Sequence, residues 1–70
     1  MPLTMVNPGQ EVILIDILGG RGIRSKLYSM GLVPGVKFKV LGNKGGPTMI
    51  AVNNTRLALG SGMAKKIMVE

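Results

Sequence analysis

Three carboxylates, one phenol and nine cationic side chains are the reactive groups of this 70-residue chain. The carboxylates are Glu11, Asp16 and Glu70, and there is neither histidine nor cysteine. The usual imidazole base and thiolate nucleophile are therefore missing, and no nucleophile–base constellation can be drawn. Disulfides and the common tetrahedral zinc sites are excluded by the same two absences. The carboxylates are far apart in sequence, with no spacing that converges oxygen ligands on a cation. No catalytic residue, cofactor or resident metal site is expected, and the chain reads as a binding protein rather than an enzyme.

Gly19-Gly20-Arg21-Gly22 stands before a helical segment and invites comparison with a phosphate-cradling loop. It has neither the G-x-G-x-x-G spacing of a dinucleotide fold nor the terminal Gly-Lys-Ser/Thr of a P-loop. A tight strand-to-helix turn accounts for it. The binding chemistry lies elsewhere. Arg24 and Tyr28, four residues apart, share one flank of the helix, and both residue types are enriched at interface hot spots. A snorkelling arginine and a ring covering the edge of the core explain the same pair equally well.

Nine basic residues against three acidic ones leave a net charge of +6. That potential favours nucleic acid, an anionic membrane surface or an acidic protein, and does not choose among them. One Phe, one Tyr and no Trp make the core aliphatic, with six Met as fillers that also make adaptable contact surfaces. No apolar run approaches the ~20 residues that span a bilayer, and no signal-peptide pattern opens the chain. A soluble, cytoplasmic protein made of one domain over residues 1–70 is the expectation.

These side chains must be positioned by short elements. Leu3 to Val6 could pair as an edge strand. Asn7-Pro8-Gly9-Gln10 is a Pro-Gly turn, and Val12 to Leu18 reads as a strand covered on both faces. Ile13, Ile15 and Ile17 are expected to line the core, leaving Val12, Leu14 and Leu18 on a face that needs a cover. Ile23, Leu27 and Met30 fall on one stripe of a short helix over 23–30. Gly31 suits the left-handed position after its C-cap, with Leu32 returning to touch Leu27. Pro34-Gly35 is a second turn of type II sequence.

Val36, Phe38 and Val40 alternate with Lys37 and Lys39, the clearest strand signature in the chain. A loop with a basic tip at Lys44 leads to a strand over 48–52. Asn53-Asn54 tolerate the positive φ of a tight turn into 55–59, with Leu57 and Leu59 inward. One helical turn precedes a terminal strand with Ile67 and Val69 inward. About five short strands and one helix between the first two main ones indicate an all-β fold, a small SH3-like barrel, with an OB-fold as the alternative.

Gly19-Gly20, the Leu27-x-x-Met30-Gly31-Leu32-x-Pro34-Gly35 segment, Gly46-Pro47, Arg56-Leu57-Ala58-Leu59 and Ala64 together resemble the ferrous iron transport protein A (FeoA) family over essentially the whole chain. The same module is similar to the C-terminal SH3-like domain of iron- and manganese-dependent repressors. The resemblance implies a small cytoplasmic accessory of a membrane ferrous-iron transporter, FeoB, whose cytoplasmic part carries a GTP-binding domain. It would reach the membrane through that partner only, with a homo-oligomer left open.

Arg24, Tyr28, Met30, Val12, Leu14 and Arg56 are the candidate partner-binding residues. Arg24 and Arg56 could also serve a partner GTPase as an arginine finger. The competing reading is a basic nucleic-acid-binding or regulatory domain. It lacks stacking platforms, since Tyr28 and Phe38 are the only aromatics and Phe38 is expected in the core.

Overall fold

The computed structural model describes residues 1–43 and 45–70, so the basic tip expected at Lys44 lies outside the described residues. Five strands are formed: β1 (Glu11–Ile17), β2 (Lys37–Gly42), β3 (Thr48–Val52), β4 (Thr55–Leu59) and β5 (Ile67–Val69). Helix α1 (Arg21–Ser29) joins β1 to β2, and the single turn α2 (Ser61–Ala64) joins β4 to β5. The strands pair antiparallel in the order β4-β3-β2-β1-β5. β1 serves two partners in succession. Glu11 to Ile13 face β2, while Leu14, Asp16 and Ile17 face β5. A strand shared in this way wraps the sheet around one core, and the result is the expected all-β, SH3-like barrel with its helix between the first two strands.

The core is aliphatic. Leu14, Ile17, Leu27, Leu32, Ile50, Leu59 and Ile67 are no more than 1% exposed, and Phe38 is buried beside them at 2%. Ile23, Met30, Val36 and Leu57 are half-buried against this cluster. The ring of the single Phe is thus inside.

α1 ends as its sequence dictates. The Gly31 N–H donates to the Tyr28 carbonyl (2.9 Å) and the Leu32 N–H to the Leu27 carbonyl (3.0 Å), the paired bonds of a Schellman motif. Gly31 takes φ +88°, and a Cβ added there would lie 3.1 Å from the Asn53 Nδ2, so conformation and space both select glycine. Leu27 and Leu32 are both fully buried. The helix end is therefore capped by its own backbone and fastened to the core at the same point.

Two Pro-Gly turns launch β1 and β2 in the same way. Gly9 and Gly35 adopt φ +94° and +95°, and each turn is closed by an i to i+3 bond, Gln10 N–H to Asn7 O and Val36 N–H to Val33 O. Each glycine then donates across to the other strand, Gly9 N–H to Val40 O and Gly35 N–H to Leu14 O, both at 2.7 Å. The two turns thus clamp opposite ends of the β1–β2 pair about a local two-fold axis. Shared turn chemistry suffices to produce this.

Two expectations are corrected. The first concerns β1, whose inner residues are Val12, Leu14 and Ile17, while Ile13, Ile15 and Leu18 are exposed. A β-bulge between Leu14 and Asp16 adds one residue, so the face that begins with Val12 and Leu14 continues with Ile17. The Asp16 carboxylate accepts the Ile17 N–H at 2.8 Å within this bulge. β1 is accordingly covered on one face only. Val12 and Leu14, expected as partner contacts, belong to the core.

The second correction is at the N-terminus, where Leu3–Met5 forms a 3₁₀ turn instead of a strand. Leu3 and Val6 both point inward, and a spacing of three suits a 3₁₀ turn, not alternation. Ahead of it, Met1 exchanges bonds with Val69, N-terminal ammonium to carbonyl at 2.9 Å and amide to carbonyl at 2.8 Å. Pro2 bridges to Met68. The chain's first two residues therefore lie along the outer edge of β5.

Candidate functional site

Several exposed apolar side chains stand on or near elements bonded to the second half of β1, while Met5, Leu41 and Met49 are exposed elsewhere. Ile15 stands out from the bulge and is 45% exposed; Leu18, just past the strand, is 46% exposed. The Leu18 N–H is fixed to the Lys66 carbonyl at 2.7 Å. Val33, 40% exposed, precedes the turn whose Gly35 N–H is bonded to the Leu14 carbonyl. Arg24 reaches the same strand, its Nε donating to the Ile17 carbonyl at 3.2 Å. One helical turn on, Tyr28 is exposed, held in place by the burial of its neighbour Leu27. The exposed groups are thus aliphatic side chains, one phenol and one guanidinium, carried by elements that backbone bonds hold in place. Exposed groups of these types suit contact with another protein.

A second, basic surface lies on the outer face of the sheet. The register aligns Glu11, Lys39, Ala51 and Arg56 in one row across β1, β2, β3 and β4. Lys37 lies in the next row, opposite Ile13. Lys37, Lys39 and Arg56 are all exposed. With Ala51 between them, Lys39 and Arg56 flank a small side chain.

The structure therefore joins some of the expected contact residues and separates others. Arg24 and Tyr28 share a flank of α1, as their spacing requires. Met30 is half-buried against the core at the C-cap of the helix, where its N–H donates to the Leu27 carbonyl. Arg56 is on the edge strand β4, which pairs with β3, whereas Arg24 is on α1. Ile13 and Ile15 were missed as surface residues. One signal was available: Glu11 shares their parity in the strand, and a carboxylate at that position points to solvent.

Among the described residues no pocket is formed and no group of three carboxylate, imidazole or thiol side chains converges as a metal site. The carboxyl-bearing Glu70 is tied by backbone bonds to Ile13, at 3.0 Å in each direction. No helix is long and apolar enough to cross a membrane.

The family model of the FeoA domain matches residues 1–70. The chain belongs to the FeoA domain family. It is 44% identical over 69 residues to a candidate Fe(2+) transport protein A of Methanocaldococcus jannaschii, covering 99% of this chain and 84% of that protein. It superposes on a crystal structure of an iron uptake regulatory protein, FeoA, with a TM-score of 0.91 at 44% identity, covering 100% and 95% of the two chains.

Two further likenesses bear on the fold alone. The zinc-complexed FeoA of Stenotrophomonas maltophilia, described as a procaryotic SH3 domain protein, matches with a TM-score of 0.86 at 24% identity, covering 100% of this chain and 89% of that one. The regulator IdeR of T. acidophilum matches at 0.90 and 23% identity over 99% of this chain and 32% of its own. The FeoA domain and part of the repressor thus share one barrel.

Proposed function

We propose that this FeoA-domain chain is a non-enzymatic accessory of ferrous iron transport, working in the cytoplasm by docking on the GTP-binding cytoplasmic part of a FeoB-type transporter. The observation that carries this reading is the family relationship over the full 70 residues, at 44% identity to an iron-transport relative. The surface chemistry is in keeping with it. Ile15, Leu18, Val33 and Tyr28 expose apolar area, and Arg24 is exposed on the same helix flank as Tyr28; a protein partner is the ligand that groups of these types fit.

Calorimetric titration of the full chain against the transporter's soluble cytoplasmic domain, without nucleotide, with GDP and with a non-hydrolysable GTP analogue, tests this. Association in at least one state is expected. No binding in any of the three overturns the proposal. Nucleic acid is the less favoured ligand, because Phe38 is buried and Tyr28 is the only aromatic at the surface. A steep fall of nucleic-acid affinity with salt would be its signature.

A further inference from the structure

The sheet has two edges, and only one of them is covered. Along the free side of β5 run Met1 and Pro2, with two bonds between Met1 and Val69 and a bridge from Pro2 to Met68. The other edge is β4. Its five residues pair with β3 in unbroken register, from Val52↔Thr55 to Thr48↔Leu59, with neither bulge nor proline. Asn53 and Asn54, at φ +51° and +62°, form the two-residue turn that makes Val52 and Thr55 a hydrogen-bonded pair. By alternation, Thr55, Leu57 and Leu59 direct their N–H and C=O groups to β3, whereas Arg56 and Ala58 direct theirs away from the sheet.

Among the described residues no backbone bond outside the β3 ladder involves Arg56 or Ala58, and both residues are exposed. Regular, unprotected edges of this kind are normally blunted by charge, proline or a bulge, because they template pairing with another strand. Here the N-terminal segment protects one edge and β4 is left with a single arginine.

We infer that the β4 edge is a strand-addition site for an extended, acidic segment of the partner protein. The inference rests on the proposed docking role and names the way it is achieved. The outward N–H and C=O groups of Arg56 and Ala58 supply main-chain bonds to the added strand. Arg56 and, one small residue further in, Lys39 present cations beside it on the outer face of the sheet. This charge complementarity selects a partner with Asp or Glu at the positions flanking Arg56. It also argues against a second copy of the chain as the occupant, since each copy carries a net charge of +6. Ala58 on the edge strand itself is small, with Ala51 beside Arg56 and the exposed Met49 beside Ala58 on β3.

The test combines amide exchange with one substitution, using the full chain and the transporter's soluble cytoplasmic domain. On complex formation the Arg56 and Ala58 amides should gain at least tenfold protection from hydrogen exchange. Ala58→Pro removes an outward N–H without touching the β3 ladder, a position where edge strands tolerate proline. It should weaken binding at least tenfold with a melting temperature within a few degrees of the parent. Should Ala58→Pro fail to fold, the exchange measurement on the unaltered chain decides alone. Binding with unchanged exchange at both amides overturns the strand-addition site and leaves the docking role standing. Absence of any binding overturns both. Protection of the two amides in the free chain that rises with its own concentration overturns the acidic partner segment in favour of a second copy.

Discussion

Two apolar stretches of this small barrel have opposite fates. At the end of α1, Leu27 and Leu32 are fully buried within a few residues of each other, on either side of a glycine that reverses the chain. On β1, Ile13 and Ile15, with Leu18 just beyond, remain more than a third exposed. Both are hydrophobic, and only the first contributes to the core. The helix end spends its apolar side chains on holding the barrel together. The outer face of β1 keeps them at the surface of a rigid frame, available to something else. In a domain of this size, with a net stability of roughly 4–10 kcal/mol, that division separates substitutions that unfold the protein from substitutions that leave it folded.

Substitutions at the two places should therefore differ in kind. The largest effect is expected from Leu27→Ala, which leaves a cavity beneath α1 and should cost about 2–5 kcal/mol in chemical denaturation. A near-neutral result would dissolve the contrast from the buried side. Gly31→Val forces a β-branched residue to φ +88° and against the Asn53 amide. It should lose about 1–3 kcal/mol, read as a lowered melting temperature. Ile15→Lys should leave folding stability within about 0.5 kcal/mol. Its effect should appear in calorimetry with the transporter domain, as weaker association. Unfolding of Ile15→Lys would show that the outer face of β1 also holds the fold.

The smallest effect is expected at Arg24. Its guanidinium is engaged with the Ile17 carbonyl on this chain, so Arg24→Ala should change the partner's GTP turnover less than twofold. A fall of a hundredfold or more would instead identify an arginine finger.

Much of the helix end was legible because its signals are local and agree. A left-handed glycine, a return to an apolar residue and a proline that forbids continuation are read from neighbours in sequence, and each was found where it was expected. The Asn53-Asn54 turn and the Lys37/Lys39 alternation are of the same kind. The N-terminal segment was harder. Leu3 and Val6 are buried by a 3₁₀ turn, and four residues carry too little periodicity to distinguish that turn from a strand.

Sequence alone therefore determined the strands, the capped helix, the Pro-Gly turns and the family segment from Leu27 to Gly35, since steric limits and short-range hydrogen bonds decide them. It could not determine which face of β1 is buried. In a run of nearly continuous apolar residues either parity is possible, and the choice depends on where β2 leaves off and β5 begins. The bulge at Leu14/Asp16 settles it by adding one residue between those two partners. The same long-range pairing leaves the β4 edge open. Strand partners come from distant parts of the chain, so these features arise only when the sheet assembles.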